Sequence, residues 1–150
     1  MRAVIQRVSS AEVRVDGRVT GRIGHGLLIL LGIAADDTDA DADWVIRKIL
    51  GQKIFEDSSG KTVNDVLAAQ GGLLVVSQFT LLASTRKGTK PSWHRAAPPD
   101  VAREKYAQFL ENLTTAAGRA VATGEFGANM QVESINDGPV TLILDSRWRE

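Results

Sequence analysis

At 150 residues, with 43% hydrophobic and 24% charged positions, the chain has the size and composition of one soluble globular domain. Eighteen basic side chains balance 18 acidic ones and the pI is near 6.7, which excludes nucleic-acid binding through a global field, although Arg86, Lys87, Lys90 and Arg95 share an acid-free span, residues 83–99. The absence of cysteine removes disulfides, thiolate catalysis and cysteine-ligated zinc and leaves two imidazoles, His25 and His94, while no apolar run reaches the roughly 18 to 20 residues that span a bilayer.

Residues 1–8 alternate as a strand does and lack the apolar centre of a secretion signal, so the expectation is one cytoplasmic domain over residues 1–150 with no membrane association. Residues 2–8 and 11–23 read as strands, the second folded at Asp16-Gly17, a two-residue hairpin signal that predicts the start of a β-meander. Residues 26–35 (GLLILLGIAA) are short and continuously apolar, which predicts a central strand buried on both faces. Thr38 or Asp39 can cap a helix with Ala42, Val45, Ile46, Ile49 and Leu50 on its apolar face and Gly51 at its end. Its acids suit a helix N-terminus better than a calcium loop, because the glycine and distal glutamate of such a loop are missing.

Residues 53–55 predict a short strand, 56–61 a turn about Ser59-Gly60, and 63–69 a marginal helical turn. A second buried strand is expected over 73–82, carrying Ser77-Gln78-Phe79-Thr80 toward its polar end. Beyond the basic loop, Pro98-Pro99-Asp100 opens a helix to about residue 117, striped by Val101, Lys105, Tyr106, Phe109, Leu110 and Leu113 and ended by Gly118. Residues 130–135 alternate, Asn136-Asp137-Gly138-Pro139 predicts a turn, and 140–144 reads as the last strand.

Familiar catalytic signatures are missing: there is no P-loop, no strand-borne GxGxxG, no HExxH and no G-x-S-x-G, and residues 21–26 (GRIGHG) have the wrong glycine spacing. A serine triad would need His25 or His94 beside a hydroxyl and a carboxylate, and no local spacing suggests one. What remains is Ser77-Gln78-Phe79-Thr80 and the segment from Asn136 through Asp137, Gly138, Pro139 and Val140 to Thr141. Each alone reads equally as structure, since Ser and Thr at strand ends satisfy nearby backbone, Phe79 suits a core and Asn-Asp-Gly-Pro is ordinary turn chemistry.

Taken together, the two stretches resemble the paired signatures of the D-aminoacyl-tRNA deacylases, Ser-Gln-Phe-Thr-Leu and Asn-x-Gly-Pro-Val-Thr. The likeness extends through MRAVIQRVSSAEVRVDG, GHGLLILLGIAADDT, KIFED, LLVVSQFTL, KGTKPSWHRAAPP and FGANMQVESINDGPVTLILDS. Lys53 stands where relatives often carry arginine and Asn129 where they often carry aspartate, and residues 63–70 diverge. The resemblance implies an α/β fold of α+β type: a mixed, largely antiparallel, barrel-like sheet with two main helices, assembled as a homodimer. It also implies hydrolysis of the ester joining a D-amino acid, or glycine, to the terminal adenosine of tRNA, a chiral proofreading step in translation that needs no cofactor and no metal.

By the same resemblance, Ser77, Gln78, Phe79 and Thr80 surround the ester, with the N–H groups of Phe79 and Thr80 as oxyanion donors. Asn136, Gly138, Pro139, Val140 and Thr141, anchored by Arg7, bind the substrate and select its hand, through a cis Gly138-Pro139 peptide that reaches into the partner subunit. Phe126, Gly127, Ala128 and Met130 form the adenosine pocket, and Arg86, Lys87 and Lys90 contact tRNA phosphates beside a stacking Trp93. The vicinal 2′-hydroxyl of the substrate can assist its own hydrolysis; the rival, Thr80 as nucleophile, lacks an evident base. A non-catalytic single-stranded RNA-binding module and a β-rich dimerisation domain are the alternatives from other classes.

Overall fold

A computed structural model describes residues 1–149. Strand β1 (Arg2–Val15) organises it, since Ala3, Ile5, Val8, Ala11, Val13 and Val15 are all buried along its length. Ser9 and Ser10 are exposed yet do not interrupt it, so the two strands expected from residue 2 to residue 15 are one. At Asp16-Gly17, both with positive φ, the chain reverses into β2 (Arg18–Ile23), as the hairpin signal predicts. The expected meander does not form. β3 (Gly26–Gly32) pairs with β1 from Arg2↔Gly32 to Val8↔Gly26, and β2 pairs with β1 farther along, from Ala11↔Ile23 to Val15↔Arg18. A 14-residue strand is long enough to take both partners in succession, which a shorter β1 could not.

β3 is buried on both faces and pairs in parallel with β6 (Gly72–Ser77), which pairs in parallel with β7 (Ala122–Thr123). Its regular strand ends at Gly32; beyond it Ala34 makes an isolated bridge to Ala96. β7 lies so close to β2 that a Cβ on Gly21 would stand 2.3 Å from the Thr123 carbonyl oxygen, and the sheet is thereby nearly closed into a barrel. The interior holds Val8, Ala11, Val13, Leu28, Leu74 and Val76. The opposite face packs Ile5, Ile29, Leu73 and Val75 against Val45, Ile46 and Ile49 of α1 (Asp39–Gly51) and Tyr106, Phe109 and Leu113 of α2 (Pro99–Ala117). Two helices on a largely antiparallel barrel match the expected fold class.

Helix α1 begins at Thr38, whose N–H and hydroxyl both donate to Asp41 Oδ2 at 2.8 Å, and it includes Gly51 before capping at Gln52. The strand expected at 53–55 lies one to two residues later, as β4 (Phe55–Glu56), hairpin partner of β5 (Thr62–Asn64). Consequently Val63 is extended, and the helical turn expected over 63–69 shrinks to a short turn in which Asp65 Oδ1 accepts the N–H groups of Leu67 and Ala68.

Two corrections shape the site. The strand expected over 73–82 stops at Ser77: after Gln78 donates its N–H to Leu31 at 2.7 Å, Phe79–Leu82 coil into a 3-10 turn that settles on Gly32, where a Cβ would lie 3.0 Å from the Gln78 carbonyl oxygen. The turn expected at 136–139 does not reverse the chain. β8 (Gln131–Asp145) runs antiparallel to β1 throughout, with Asn136 opposite Val8 and Thr141 opposite Gln6, so residues 137–140 bulge outward around the single residue Arg7. Outside this bulge β8 leaves Val132, Ile135 and Ile143 exposed. Among the described residues no helix is long and apolar enough to cross a membrane.

Candidate active site

Leaving the ladder at Ser77 bares the start of the 3-10 turn. Its backbone bonds begin with Leu81 N–H to the Gln78 carbonyl and end with Ala83 N–H to the Thr80 carbonyl, so that the N–H groups of Phe79 and Thr80 have no backbone acceptor among the described residues. Arg2 holds this turn from below: Nη1 donates to the Leu81 carbonyl at 2.8 Å while Nε and Nη2 donate to Asp145 Oδ2 at 2.9 and 2.7 Å. Nothing in the sequence distinguishes Arg2 from any other strand cation.

Beside the turn opens a cavity of about 640 Å³. Ser77, Gln78 and Phe79 line one side, Phe126, Gly127, Ala128 and Met130 another, and Leu31, Ile33 and Val76 the floor. Trp93, Ala96, Ala97, Pro98, Pro99, Ala102 and Val132 make up the rest of the wall, and of these the sequence marks only Trp93 as a candidate site residue. Phe79 is 54% exposed and meets Trp93 edge to face at 5.2 Å, so the core place suggested by the residue alone does not hold and it lines the cavity instead. Past Ser77 no neighbouring strand covers it, and its ring turns to the cavity mouth.

No lining residue titrates. Hydroxyl, amide, thioether and aromatic rings make up the functional groups, and they offer no carboxylate or imidazole set for a metal. His94 Nδ1 bonds Ser92 Oγ at 2.8 Å and His25 stands edge-on to Phe55 at 5.1 Å, both outside the cavity lining. Thr80 is half-buried behind Phe79, and its Oγ1 accepts from the Gln78 side-chain amide. Beneath the floor, burial pushes the Tyr106 phenol up to about 12, and its hydroxyl donates to the Val75 carbonyl at 3.0 Å. It therefore holds its proton at any working pH.

The other signature lies elsewhere in the same chain. Asn136 bridges the neck of the bulge, its Nδ2 donating to Thr141 Oγ1 at 3.0 Å and its Oδ1 accepting from Val140 N–H at 3.3 Å; Gln6 Nε2 also donates to Thr141 Oγ1 at 3.3 Å. Arg7, only 9% exposed, donates from Nε to the Asp137 carbonyl at 3.2 Å and from Nη1 to the Ile54 carbonyl. Gly138 and Pro139, joined by a cis peptide bond, are exposed at the tip. None of residues 136–141 lines the cavity. Arg7 sits opposite Leu27 and Ser77 opposite Leu31, four residues along β3, and the order β8-β1-β3-β6 puts two strand spacings between Arg7 and Ser77 and three between the bulge on β8 and Ser77. Measured along the curved sheet, the bulge lies about 20 Å from Ser77. One chain thus gathers Ser77, Gln78 and Phe79 with Phe126, Ala128 and Met130, and keeps Arg7 and residues 136–141 apart from them.

Arg86, Lys87 and Lys90 are exposed on a loop whose base is pinned by reciprocal 2.9 Å bonds between Ser84 and Ser92, and by Arg95 donating to the Leu82 and Ala83 carbonyls. Trp93 joins this loop to the cavity mouth.

Over residues 4–145 the chain matches the family model described as D-Tyr-tRNA(Tyr) deacylase. It is 58% identical to the D-aminoacyl-tRNA deacylase of Opitutus terrae over 150 residues, covering all of both chains, and 52% identical to that of Kosmotoga olearia over 98% of each. Among solved structures, one titled c-Myc DNA Unwinding Element Binding Protein superposes with a TM-score of 0.91 at 44% identity, over 97% of this chain and 98% of the other. A probable eukaryotic D-amino acid tRNA deacylase, 20% identical, shares the fold with a TM-score of 0.82 over 95% and 97% of the two chains.

Proposed function

This chain belongs to the D-Tyr-tRNA(Tyr) deacylase family, and we propose that it hydrolyses the ester joining a D-amino acid to the terminal adenosine of tRNA, releasing both. It is an ester hydrolase, and it removes wrong-handed residues before translation uses them. One observation carries the mechanism: a cavity without a titratable side chain, beside two backbone N–H groups that have no backbone acceptor. Such a site supplies position and charge stabilisation, not proton transfer.

The adenosine lies against Phe126, Gly127, Ala128 and Met130, and the ester reaches the Ser77 to Thr80 end. Water adds to the ester carbon, and the N–H groups of Phe79 and Thr80 hold the oxyanion. The bond to the ribose 3′-oxygen then breaks, and the vicinal 2′-hydroxyl relays the proton from water to that oxygen. Thr80 does not serve as nucleophile, because its hydroxyl is engaged by the Gln78 amide and has no imidazole or carboxylate beside it.

Two mirror-image esters bury the same atoms, so discrimination needs a wall on one side of the α-carbon. In the proposed homodimer, Gly138 and Pro139 of one copy supply that wall to the cavity of the other, braced by Arg7 and the Asn136 bridge. Two observations support this reading: no residue of the bulge lines the cavity of its own chain, and the strand that bears it exposes Ile135 and Ile143 outside that cavity. Glycine, lacking a side chain, evades the wall. Arg86, Lys87 and Lys90 receive tRNA phosphates.

A second reading, a single-stranded nucleic-acid module, draws on the exposed Phe79 and Trp93 rings beside these cations and on the DNA-binding title of the 44% identical structure. It requires binding without turnover. Purified protein offered D-tyrosyl-, L-tyrosyl- and glycyl-tRNA separates the two: ester loss from the first and third with the second spared is the expected result. Binding of all three with no ester loss refutes the deacylase reading.

A further inference from the structure

Resting on the adenosine pocket just proposed, the geometry points to a site for one specific phosphate: we propose that Arg103 binds the phosphodiester on the 5′ side of the terminal nucleoside. The cavity lining is uncharged, yet a nucleoside that fills it enters at the end of a polyanion. A cation is therefore needed where the 5′ side of the ribose leaves the pocket. Arg103 belongs to the first turns of α2, one residue after Ala102, which lines the cavity. Its guanidinium lies 4.7 Å over the Phe126 ring, and a Cβ built on Gly127 would stand 3.7 Å from its Nη2. Phe126 and Gly127 are both cavity wall, so the guanidinium sits at the rim of the pocket rather than out on the helix surface.

Arg103 has donors to spare. It is exposed and makes no ion pair with any described carboxylate, and the nearby Glu125 is taken by Arg18 at 3.0 Å. Stacking on Phe126 orients the planar group and reduces the entropy lost on binding, while its edge N–H groups stay free for phosphate oxygens. Arg86, Lys87 and Lys90, on a separate loop, are left to meet phosphates farther along the strand. The sequence gives no hint of this, because Arg103 occupies an ordinary polar position of an amphipathic helix.

The test compares two D-tyrosyl esters, D-tyrosyl-tRNA and 3′-O-D-tyrosyl-adenosine, which has no phosphate, on wild type and Arg103→Gln. For tRNA the variant should raise KM about tenfold with kcat unchanged. The slope of log KM against log salt should fall by about one. With the adenosine ester the two proteins should be equal. Equal losses on both esters would mean that Arg103 acts only by holding Phe126, and no loss on either would mean that it touches no phosphate; each overturns the assignment. A wild type that cleaves neither ester sinks the deacylase reading, and this site with it.

Discussion

At the scale of residues, the chemistry reduces to which groups can accept a proton. Since Thr80 is bonded to the Gln78 amide and neither histidine lines the cavity, Thr80→Ala, His25→Ala and His94→Ala should each keep turnover of D-tyrosyl-tRNA within about tenfold of wild type. Abolition by Thr80→Ala with substrate binding intact would restore the nucleophile. Arg7 faces a different demand, because its nearly buried guanidinium satisfies the Ile54 and Asp137 carbonyls. Arg7→Ala should cost about 1 to 3 kcal/mol in denaturant unfolding. It should also admit L-tyrosyl-tRNA as the bulge loosens. Ser77, Gln78, Phe126, Ala128 and Met130, marked by motif resemblance, all line one cavity, whereas Phe79 read alone points to the core, since exposure depends on whether a neighbouring strand covers it.

Among elements, the two that shape the site depart from the sequence expectation for one reason: hydropathy marks where a strand is apolar but not where its partner stops. β6 ends when β3 runs out at Gly32, and β8 continues through a Gly-Pro because β1 keeps pairing on both sides of the bulge. Helices were more legible, since caps and 3.6-residue spacing are local. At the start of α1, burial opposes ionisation of Asp41, but hydrogen bonds from the Thr38 backbone, Ser146 and the Thr38 hydroxyl outweigh it and hold the carboxyl down at about 2. A depressed carboxyl stabilises the fold above its unfolded value near 3.8, and that contribution disappears as pH falls through about 2. Asp41→Asn should therefore lower stability at neutral pH and flatten its decline between about pH 4 and 2, read by urea midpoints. An unchanged acid limb would show that Asp41 does not set it.

For the molecule as a whole, the central expectation is that each site draws on two copies. Ala128→Trp should fill the cavity, and Gly138→Val, at a position where a Cβ would lie 2.8 Å from Val140 Cγ2, should thicken the wall with a displaced side chain and so block the partner's cavity for either ester. Each variant alone should be inactive. Mixed and re-equilibrated in equal amounts, they should recover about a quarter of wild-type activity, since half the dimers are mixed and each has one intact cavity facing one intact bulge. No recovery would place bulge and cavity in the same chain. Ile143→Asp, on the exposed face of β8, should yield a monomer by sedimentation and lose activity together with assembly. By itself the sequence determined both helices, the first hairpin, the buried central strand and, through two short motifs, the reaction, because caps, turn residues and periodicity act between near neighbours in the chain. Only the tertiary structure decided that β1 pairs along its whole length with β8, that Ser77 ends its strand, and that the second motif lies three strands away from the first and outside its cavity, because strand pairing is settled by long-range packing that leaves no local mark.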